Sequence, residues 1–211
     1  MLRVSIDPSA PDLAILRRAA QIILDGGIVA LPTDTLYGLA VDPFEPEAVD
    51  RLYSVKRRPG GLLIPLIAAD EAQVEQHVGR MSPMARRLAA RFWPGPLTLV
   101  IEASPRLAPS IHRGSGRVAV RVPDHAVARG LAEVAGQPLT STSANRSGQP
   151  APSTADEVEA ALADSIDLLL DGGPTPGRLP STIVDVVDPS PRLVRAGAVA
   201  WERVLESCED R

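Results

Sequence analysis

The sequence predicts an α/β domain built on a twisted mixed sheet flanked by helices. Short apolar runs alternate along the chain with segments whose apolar side chains recur at helical spacing, and neither kind forms a block of its own. No shift in composition divides the 211 residues into two halves. We therefore expect one domain over residues 1–211, with ligands bound by the loops at the ends of its strands.

Seven segments are predicted to be helices. The first follows Asp12, a suitable N-cap, and stops at Gly26. The second has Pro46 in its first turn and ends near Lys56 and Arg58. The predicted helices span residues 13–24, 46–56, 71–78, 83–92, 125–135, 155–163 and 201–206.

Eight apolar runs are predicted to be strands. The first ends at Pro32, which suits a buried strand that leads into a loop. Pro65 lies inside another run, so we expect that strand at a sheet edge or at a bulge, because proline has no backbone N–H. The strands are predicted at residues 28–31, 62–68, 97–102, 118–122, 139–142, 168–170, 182–187 and 193–195.

The positive charges are almost all arginine. Among the 22 Lys and Arg residues only Lys56 is lysine, and the formal net charge of the chain is −4. A chain without a global basic field is not typical of non-specific nucleic-acid binders. Any site for an anionic ligand must therefore be local, and Lys56 is the position that composition singles out.

Several kinds of chemistry have no signal in the sequence. Cys208 is the single cysteine, and the three histidines are far apart, so we predict neither a disulfide nor a protein-ligated metal site. Walker A, dinucleotide-binding and Gly-x-Ser-x-Gly patterns are missing. Residues 1–10 lack the apolar run of a signal peptide, and no segment approaches the roughly 20 apolar residues of a membrane span. We therefore expect a cytoplasmic protein without a membrane partner.

Four polar segments lie at the ends of predicted strands. Their hydroxyl and amide groups supply directional hydrogen bonds, and Lys56, Arg58 and Arg195 supply positive charge. This mixture suits a small ligand that carries phosphate or carboxylate groups. The segments are residues 32–38, residues 56–59, residues 140–145, and residues 181–182 together with Arg195.

Each of these features also has a structural interpretation when it is taken alone. Thr33, Thr35 and Ser181 are typical turn formers, and Asn145 is followed closely by a glycine. Tyr37 suits a packed side chain better than a catalyst.

Arg117 and Arg121 have the same side-chain parity on one predicted strand. They therefore project together, either into a cleft or onto a solvated face.

Taken in order, seven segments resemble the YrdC-type family of threonylcarbamoyl-AMP synthases. The resemblance runs from about Ala19 to Val199, and the length suits the short form without an additional C-terminal domain. The segments are Pro32 to Gly38, Lys56-x-Arg58-Pro59, Phe92 to Thr98, Val118 to Pro123, Ser143-Ala144-Asn145-x-Ser147-Gly148, Ser181 to Asp185, and Arg195-x-Gly197.

The resemblance implies a YrdC-like open cleft, a reaction and a set of site residues. L-Threonine, bicarbonate and ATP would give threonylcarbamoyl-AMP and pyrophosphate for the t6A modification of tRNA, with Mg²⁺ on the phosphates and a threonylcarbamoyl-transferase as partner. Lys56 and Arg58 would be catalytic. The nucleotide would contact Lys56, Arg58, Arg117, Asn145, Ser153 and Arg195, and threonine would contact Thr35, Arg121, Ser143 and Ser181. We assign Arg121 to the threonine carboxylate, because arginine can bind a carboxylate bidentately.

Two positions depart from the family's pattern. Leu62 stands where relatives often carry Asn or Lys, and Ile67 stands where some carry a histidine near threonine. A specialised paralogue with another acyl donor or acceptor therefore stays open. Two further alternatives are a non-catalytic tRNA- or dsRNA-binding module, which the acidic charge disfavours, and a carbamoyl-transfer domain like that of hydrogenase maturation proteins, which the length disfavours.

Overall fold

The computed structural model describes residues 1–57, 64–176 and 179–209. Within these residues the chain forms eleven strands and eight helices. The strands are β1 (Leu2–Ser5), β2 (Val29–Leu31), β3 (Gly38–Ala40), β4 (Leu66–Ile67), β5 (Leu97–Glu102), β6 (Arg117–Arg121), β7 (Leu139–Thr140), β8 (Thr142–Ser143), β9 (Leu168–Asp171), β10 (Thr182–Asp185) and β11 (Arg192–Arg195). The helices are α1 (Leu13–Leu24), α2 (Pro46–Lys56), α3 (Glu71–Gln73), α4 (Pro83–Phe92), α5 (Pro109–His112), α6 (Ala126–Ala135), α7 (Ala155–Leu162) and α8 (Trp201–Glu209).

The strands form two mixed sheets where the sequence predicted one. The first sheet has the order β1-β9-β2-β3-β8, and the second has the order β11-β10-β5-β6-β4-β7. The predicted strand over residues 139–142 is divided between them at Ser141. Its first half pairs with β4 and its second half pairs with β3. The α/β class and the mixed character of the sheets are confirmed, and the number of sheets is corrected.

The first sheet is covered on both faces. Val29 and Leu31 of β2 pack in one core with α1 and α6, whereas Ile28 and Ala30 belong to the other core. Successive side chains of a strand point to opposite faces, so a central strand covered on both sides is apolar throughout. This explains why residues 28–31 read as a continuous apolar run.

The second sheet has one apolar face and one face of mixed character. On β5, Leu97, Leu99 and Ile101 pack into the larger core with α2 and α4, and this alternation turns Thr98 and Val100 to the opposite face. The same alternation on β6 buries Val118 and Val120 in that core. The face opposite the core is therefore free to line a cavity.

Side chains cap several helix starts, and Asp12 does so as the sequence predicted. The Asp12 side chain accepts a hydrogen bond from the Ala14 N–H at the start of α1, and the Ser82 hydroxyl accepts one from the Ala85 N–H at the start of α4. Two predicted helices change character at their ends. Residues 71–78 are α3 followed by a π-helical turn (Val74–Val78), and a 3₁₀ turn (Ala163–Ser165) follows α7.

The prediction for the strand that contains Pro65 is wrong in its placement. Strand β4 lies between β6 and β7 in the second sheet, not at an edge. Pro65 precedes the strand, so its missing N–H removes no bond from the ladder, and its carbonyl accepts the Ser141 N–H at 2.8 Å. Residues 62 and 63 of the predicted strand lie outside the described residues. No helix in the described ranges is both long and apolar enough to cross a membrane.

Candidate active site

A cavity of about 550 Å³ lies on the face of the second sheet that is turned away from the larger core. Strands β4, β5, β6, β10 and β11 contribute to its lining. The loop between β2 and β3 and the β7–β8 segment bring residues of the first sheet to it as well. Its volume is in the range of ordinary small-molecule sites.

The cavity brings together five of the residues predicted from the sequence. All four predicted threonine contacts line it, and so does one predicted nucleotide contact. They come from separate stretches of the chain, so only the fold places them next to each other. They are Thr35, Arg121, Ser143, Ser181 and Arg195. Their assignment to individual ligands stays a prediction.

Arg121 is the buried cation of the cavity lining. It ends β6, its side chain is 7% exposed, and its Nη1 forms an ion pair with Oδ1 of Asp34. Asp34 belongs to the β2–β3 loop and is itself 11% exposed. Sequence reasoning did not assign Asp34 to the site, although it lies within the polar segment 32–38 that was singled out.

The β2–β3 loop is held by Thr33. Its hydroxyl donates to the Leu36 carbonyl at 2.8 Å and accepts from the N–H groups of Thr35 and Leu36 at 3.2 and 3.3 Å. Thr33 therefore closes the turn of this loop, and it also lines the cavity. The Thr35 hydroxyl lies 3.1 Å from that of Thr33.

Tyr37 is a packed side chain, as predicted. It is fully buried, and its hydroxyl donates to the Gly173 carbonyl at 2.7 Å. Burial raises the pKa of Tyr37 to about 12, so the phenol stays protonated at neutral pH. Its role is to join the start of β3 to the segment that follows β9.

A polar cluster surrounds the turn before β10. The Ser181 and Thr98 hydroxyl oxygens lie 2.7 Å apart. Arg195 donates to the Ser181 carbonyl through Nη2 at 2.7 Å and through Nε at 3.2 Å. Its Nη2 also lies 3.1 Å from the Ser181 hydroxyl. Arg195 therefore fixes the position of Ser181 at the cavity.

Lys56 lies behind the cavity lining and is 2% exposed. Its Nζ donates to the Ser143 carbonyl at 2.5 Å, to the Asn145 carbonyl at 2.9 Å and to Oδ1 of Asn145 at 3.2 Å. The Lys56 carbonyl in turn accepts the Ser147 N–H at 2.8 Å. These contacts connect the end of α2 to the segment that carries Ser143 into the cavity.

Besides Lys56, three further predicted nucleotide contacts in the described part of the chain do not line the cavity. Arg117 shares a face of β6 with Arg121, as its parity predicted, but the two lie about 13 Å apart along the strand. The backbone N–H of Ser153 donates to the Glu157 carboxylate at 2.7 Å, next to the start of α7. Asn145 is buried in its contact with Lys56. The nucleotide roles of these residues stay predictions.

Of the remaining predicted positions, the structure describes Ile67 but not Arg58 or Leu62. Ile67 pairs with Arg121 between β4 and β6, lines the cavity and is 1% exposed. Within the described ranges, no group of three His, Cys, Asp or Glu side chains is placed to hold a metal ion.

Asp185 holds Arg117 at the far end of the sheet face. The Arg117 guanidinium contacts Asp185 at 2.5 Å and Asp188 at 3.1 Å, and Arg192 also contacts Asp185 at 3.1 Å. Burial acts to raise the pKa of Asp185, but the Val187 N–H and the two arginines outweigh it and hold that pKa below its ordinary value.

Arg117→Ala is expected to destabilise the protein at pH 7, because the buried Asp185 carboxylate loses a charge-assisted hydrogen bond. The pKa of Asp185 is lower in the folded than in the unfolded protein. The ionised carboxylate therefore stabilises the fold above the unfolded-state pKa, and this stabilisation is lost as pH falls through the folded-state pKa. Urea unfolding at pH 7 and at pH 3 measures the free energy of unfolding of variant and wild type. The difference between the two proteins is expected to be smaller at pH 3. A difference of equal size at both pH values would contradict this account.

The family model named for Sua5, YciO and YrdC, described as telomere recombination, matches residues 21–197. The chain belongs to the Sua5/YciO/YrdC family. The resemblance seen in the sequence is thereby confirmed, over nearly the same range.

Individual members of the Sua5/YciO/YrdC family differ in how much of their length this chain covers. The threonylcarbamoyl-AMP synthase of Bacillus subtilis is 36% identical over 190 residues, which is 90% of this chain and 55% of that protein. The threonylcarbamoyl-AMP synthase of Chromobacterium violaceum is 37% identical over 179 residues, 85% of this chain and 92% of that protein. The chain thus spans just over half of the first relative and most of the second.

The fold of the chain is that of a solved Sua5/YciO/YrdC structure. The crystal structure of Pyrococcus abyssi Sua5 complexed with L-threonine superposes with a TM-score of 0.93 at 34% sequence identity. The match covers 98% of this chain and 61% of that protein. Both sheets are therefore shared with a family member that binds L-threonine.

Proposed function

We propose that the chain is a threonylcarbamoyl-AMP synthase, which forms threonylcarbamoyl-AMP and pyrophosphate from L-threonine, bicarbonate and ATP. The observation that carries the proposal is the cavity in which Thr35, Arg121, Ser143 and Ser181 converge. The names of the relatives and the L-threonine bound to Pyrococcus abyssi Sua5 support it.

The proposed reaction has two bond-forming steps. The threonine amine first adds to bicarbonate and loses water, which gives a carbamate. A carbamate oxygen then attacks the α-phosphorus of ATP, and pyrophosphate leaves. Negative charge grows on phosphate oxygens during this step, so fixed cations near the nucleotide lower its barrier.

The described residues suit the amino-acid half of this reaction. Arg121 supplies the donors for the threonine carboxylate, because a guanidinium matches a carboxylate with two parallel hydrogen bonds. The hydroxyls of Thr35, Ser143 and Ser181 line the same cavity and supply uncharged hydrogen-bonding groups.

The proposed contacts with ATP rest more on the family resemblance than on the geometry of the cavity. Arg195 lines the cavity and is proposed to contact ATP. Lys56, Arg58, Arg117, Asn145 and Ser153 are proposed nucleotide contacts on the strength of the family pattern, with Lys56 and Arg58 catalytic. ATP is expected to enter as its Mg²⁺ complex, since Mg²⁺ keeps much of its water and binds phosphate oxygens.

The product determines which kind of reaction must follow. Threonylcarbamoyl-AMP is a mixed anhydride and is easily hydrolysed, so a transferase must consume it soon after release. We propose the t6A modification of tRNA as that step, with a threonylcarbamoyl-transferase as partner. Direct contact with tRNA and a location in the cytoplasm belong to the same proposal. We also propose that residues 1–211 act as one domain.

Pyrophosphate release tests the proposed function. Wild-type protein with ATP, bicarbonate and L-threonine is expected to release pyrophosphate, and omission of either threonine or bicarbonate is expected to abolish the release. Mass spectrometry of the mixture should show threonylcarbamoyl-AMP. No threonine-dependent release, together with tight and salt-sensitive binding of tRNA, would instead favour a non-catalytic RNA-binding module.

A further inference from the structure

We infer that Asp34 is a positioning residue that holds the Arg121 guanidinium so that its remaining donors face the carboxylate of the amino-acid substrate. This inference rests on the proposed function and deepens it. It assigns a role to a side chain that acts on the substrate through Arg121.

The contacts of Arg121 point to such a role. Among the described residues, its guanidinium has one polar partner, Oδ1 of Asp34, bonded through Nη1. A guanidinium carries five N–H donors, so the described contacts commit only a small part of them. Because Arg121 also lines the cavity, the uncommitted donors are available to a carboxylate there.

Burial makes the ion pair necessary for a fixed arginine. Both side chains are nearly buried, at 11% and 7% exposure. A buried guanidinium without a counter-charge is costly and would turn towards water. A substrate would then have to reorder Arg121 before binding it, and that cost would appear as weaker affinity.

The hydrogen bonds that close the turn of the loop do not involve the Asp34 carboxylate. Thr33 makes the hydrogen bonds that close the turn, whereas the side chain of Asp34 bonds to Arg121. Oδ2 of Asp34 is buried and has no hydrogen-bond partner among the described residues. A buried carboxylate with one unsatisfied oxygen costs stability, which favours a role in the site over a role in folding.

The test is a double-mutant cycle read out by the dissociation constant for L-threonine, measured by titration calorimetry. Asp34→Asn keeps an oxygen that can accept from Arg121 but removes the charge, and it is expected to weaken threonine binding about tenfold. In an Arg121→Ala background the same change is expected to have no further effect, because its target is gone. Asp42→Asn serves as control: Asp42 directly follows the same hairpin, and within the described ranges its carboxylate accepts just the local Phe44 N–H.

Steady-state kinetics add a second readout. Asp34→Asn is expected to raise the KM for threonine with kcat and the KM for ATP changed less than about threefold, as expected when ground-state binding is lost. A parallel fall in kcat and rise in the KM for ATP would overturn the inference, because it would show general damage to the site.

Three binding results would also overturn it. Equal weakening by Asp34→Asn in both backgrounds would show that Asp34 acts independently of Arg121. Unchanged or tighter threonine binding would show that Asp34 only neutralises the arginine. Full affinity for threonine in Arg121→Ala would show that Arg121 does not bind the substrate, so that Asp34 has no binding group to position. Because binding is measured without turnover, these results remain distinct from a failure of pyrophosphate release, which would contradict the proposed function itself.

Discussion

Replacement of Lys56 by alanine is expected to lower turnover at least about tenfold, the scale of losing one electrostatic donor in an active site. The Lys56 ammonium donates to the Ser143 carbonyl and to both oxygens of Asn145. Without it, these oxygens lose a buried charged donor, at a cost of about 1–3 kcal/mol for each group left unsatisfied. The side-chain link between the end of α2 and the segment that carries Ser143 would then be lost. Steady-state pyrophosphate release measures the loss.

Lys56→Arg separates charge from shape. Three oxygens around one nitrogen suit a compact ammonium with three rotatable donors, and a planar guanidinium cannot place its donors in the same way. We therefore expect Lys56→Arg to lose activity nearly as fully as Lys56→Ala. This would explain why a chain that otherwise uses arginine has its only lysine at this position.

The control for both variants is Arg51→Ala. Arg51 lies on the same helix, is exposed and forms an ion pair with Asp167 at 3.0 Å. Exposed pairs of this kind contribute about 0.2–1 kcal/mol, so near-normal turnover is expected. Near-normal turnover in Lys56→Ala as well would show that Lys56 serves only the fold, and full activity in Lys56→Arg would show that charge alone matters.

Replacement of Arg121 by alanine is expected to raise the KM for threonine about 10- to 100-fold, since hydrogen bonds to a charged group contribute about 1.5–3 kcal/mol. The KM for ATP is expected to change less than about threefold, because the carboxylate of the amino acid is the group that loses its partner. Initial rates at varied threonine and at varied ATP measure the two constants.

Arg121→Lys provides the matched comparison. Lysine keeps the positive charge but lacks the fork that bonds both carboxylate oxygens, so an intermediate KM for threonine is expected. A larger effect on the KM for ATP than on the KM for threonine, in either variant, would overturn the assignment of Arg121 to the threonine carboxylate.

Local signals in the sequence predicted the helices well. Helices α1, α2 and α4 have the predicted bounds, because capping residues and first-turn prolines mark where a helix can begin. Strand β5 also has its predicted bounds, 97–102. These elements depend on residues that are close together along the chain.

The elements that were missed depend on distant partners. Strand β1 is largely exposed along its length, so its side chains carry little apolar pattern. Strand β3 is Gly-Leu-Ala, which has no β-branched residue and becomes a strand by pairing with β2 and β8. Helix α5 has only four residues. The division into two sheets likewise follows from pairings that no local pattern records.

The sequence indicated several side chains that share one cavity, but it did not indicate the contacts between them. The family resemblance indicated Thr35, Arg121, Ser143, Ser181 and Arg195, and the cavity contains all five. The two contacts that organise the site, Lys56 with Ser143 and Arg121 with Asp34, each join residues 87 positions apart. Contacts over such separations exist only once both sheets are assembled, so spacing along the chain could not reveal them.

A crystal structure of the protein with L-threonine tests the central claim most directly. We expect the threonine in the cavity on the face of the second sheet that is turned away from the larger core. Its carboxylate oxygens should lie within hydrogen-bond distance, about 2.7–2.9 Å, of the Arg121 guanidinium. Threonine bound with its carboxylate turned away from Arg121, or bound outside the cavity, would contradict the account.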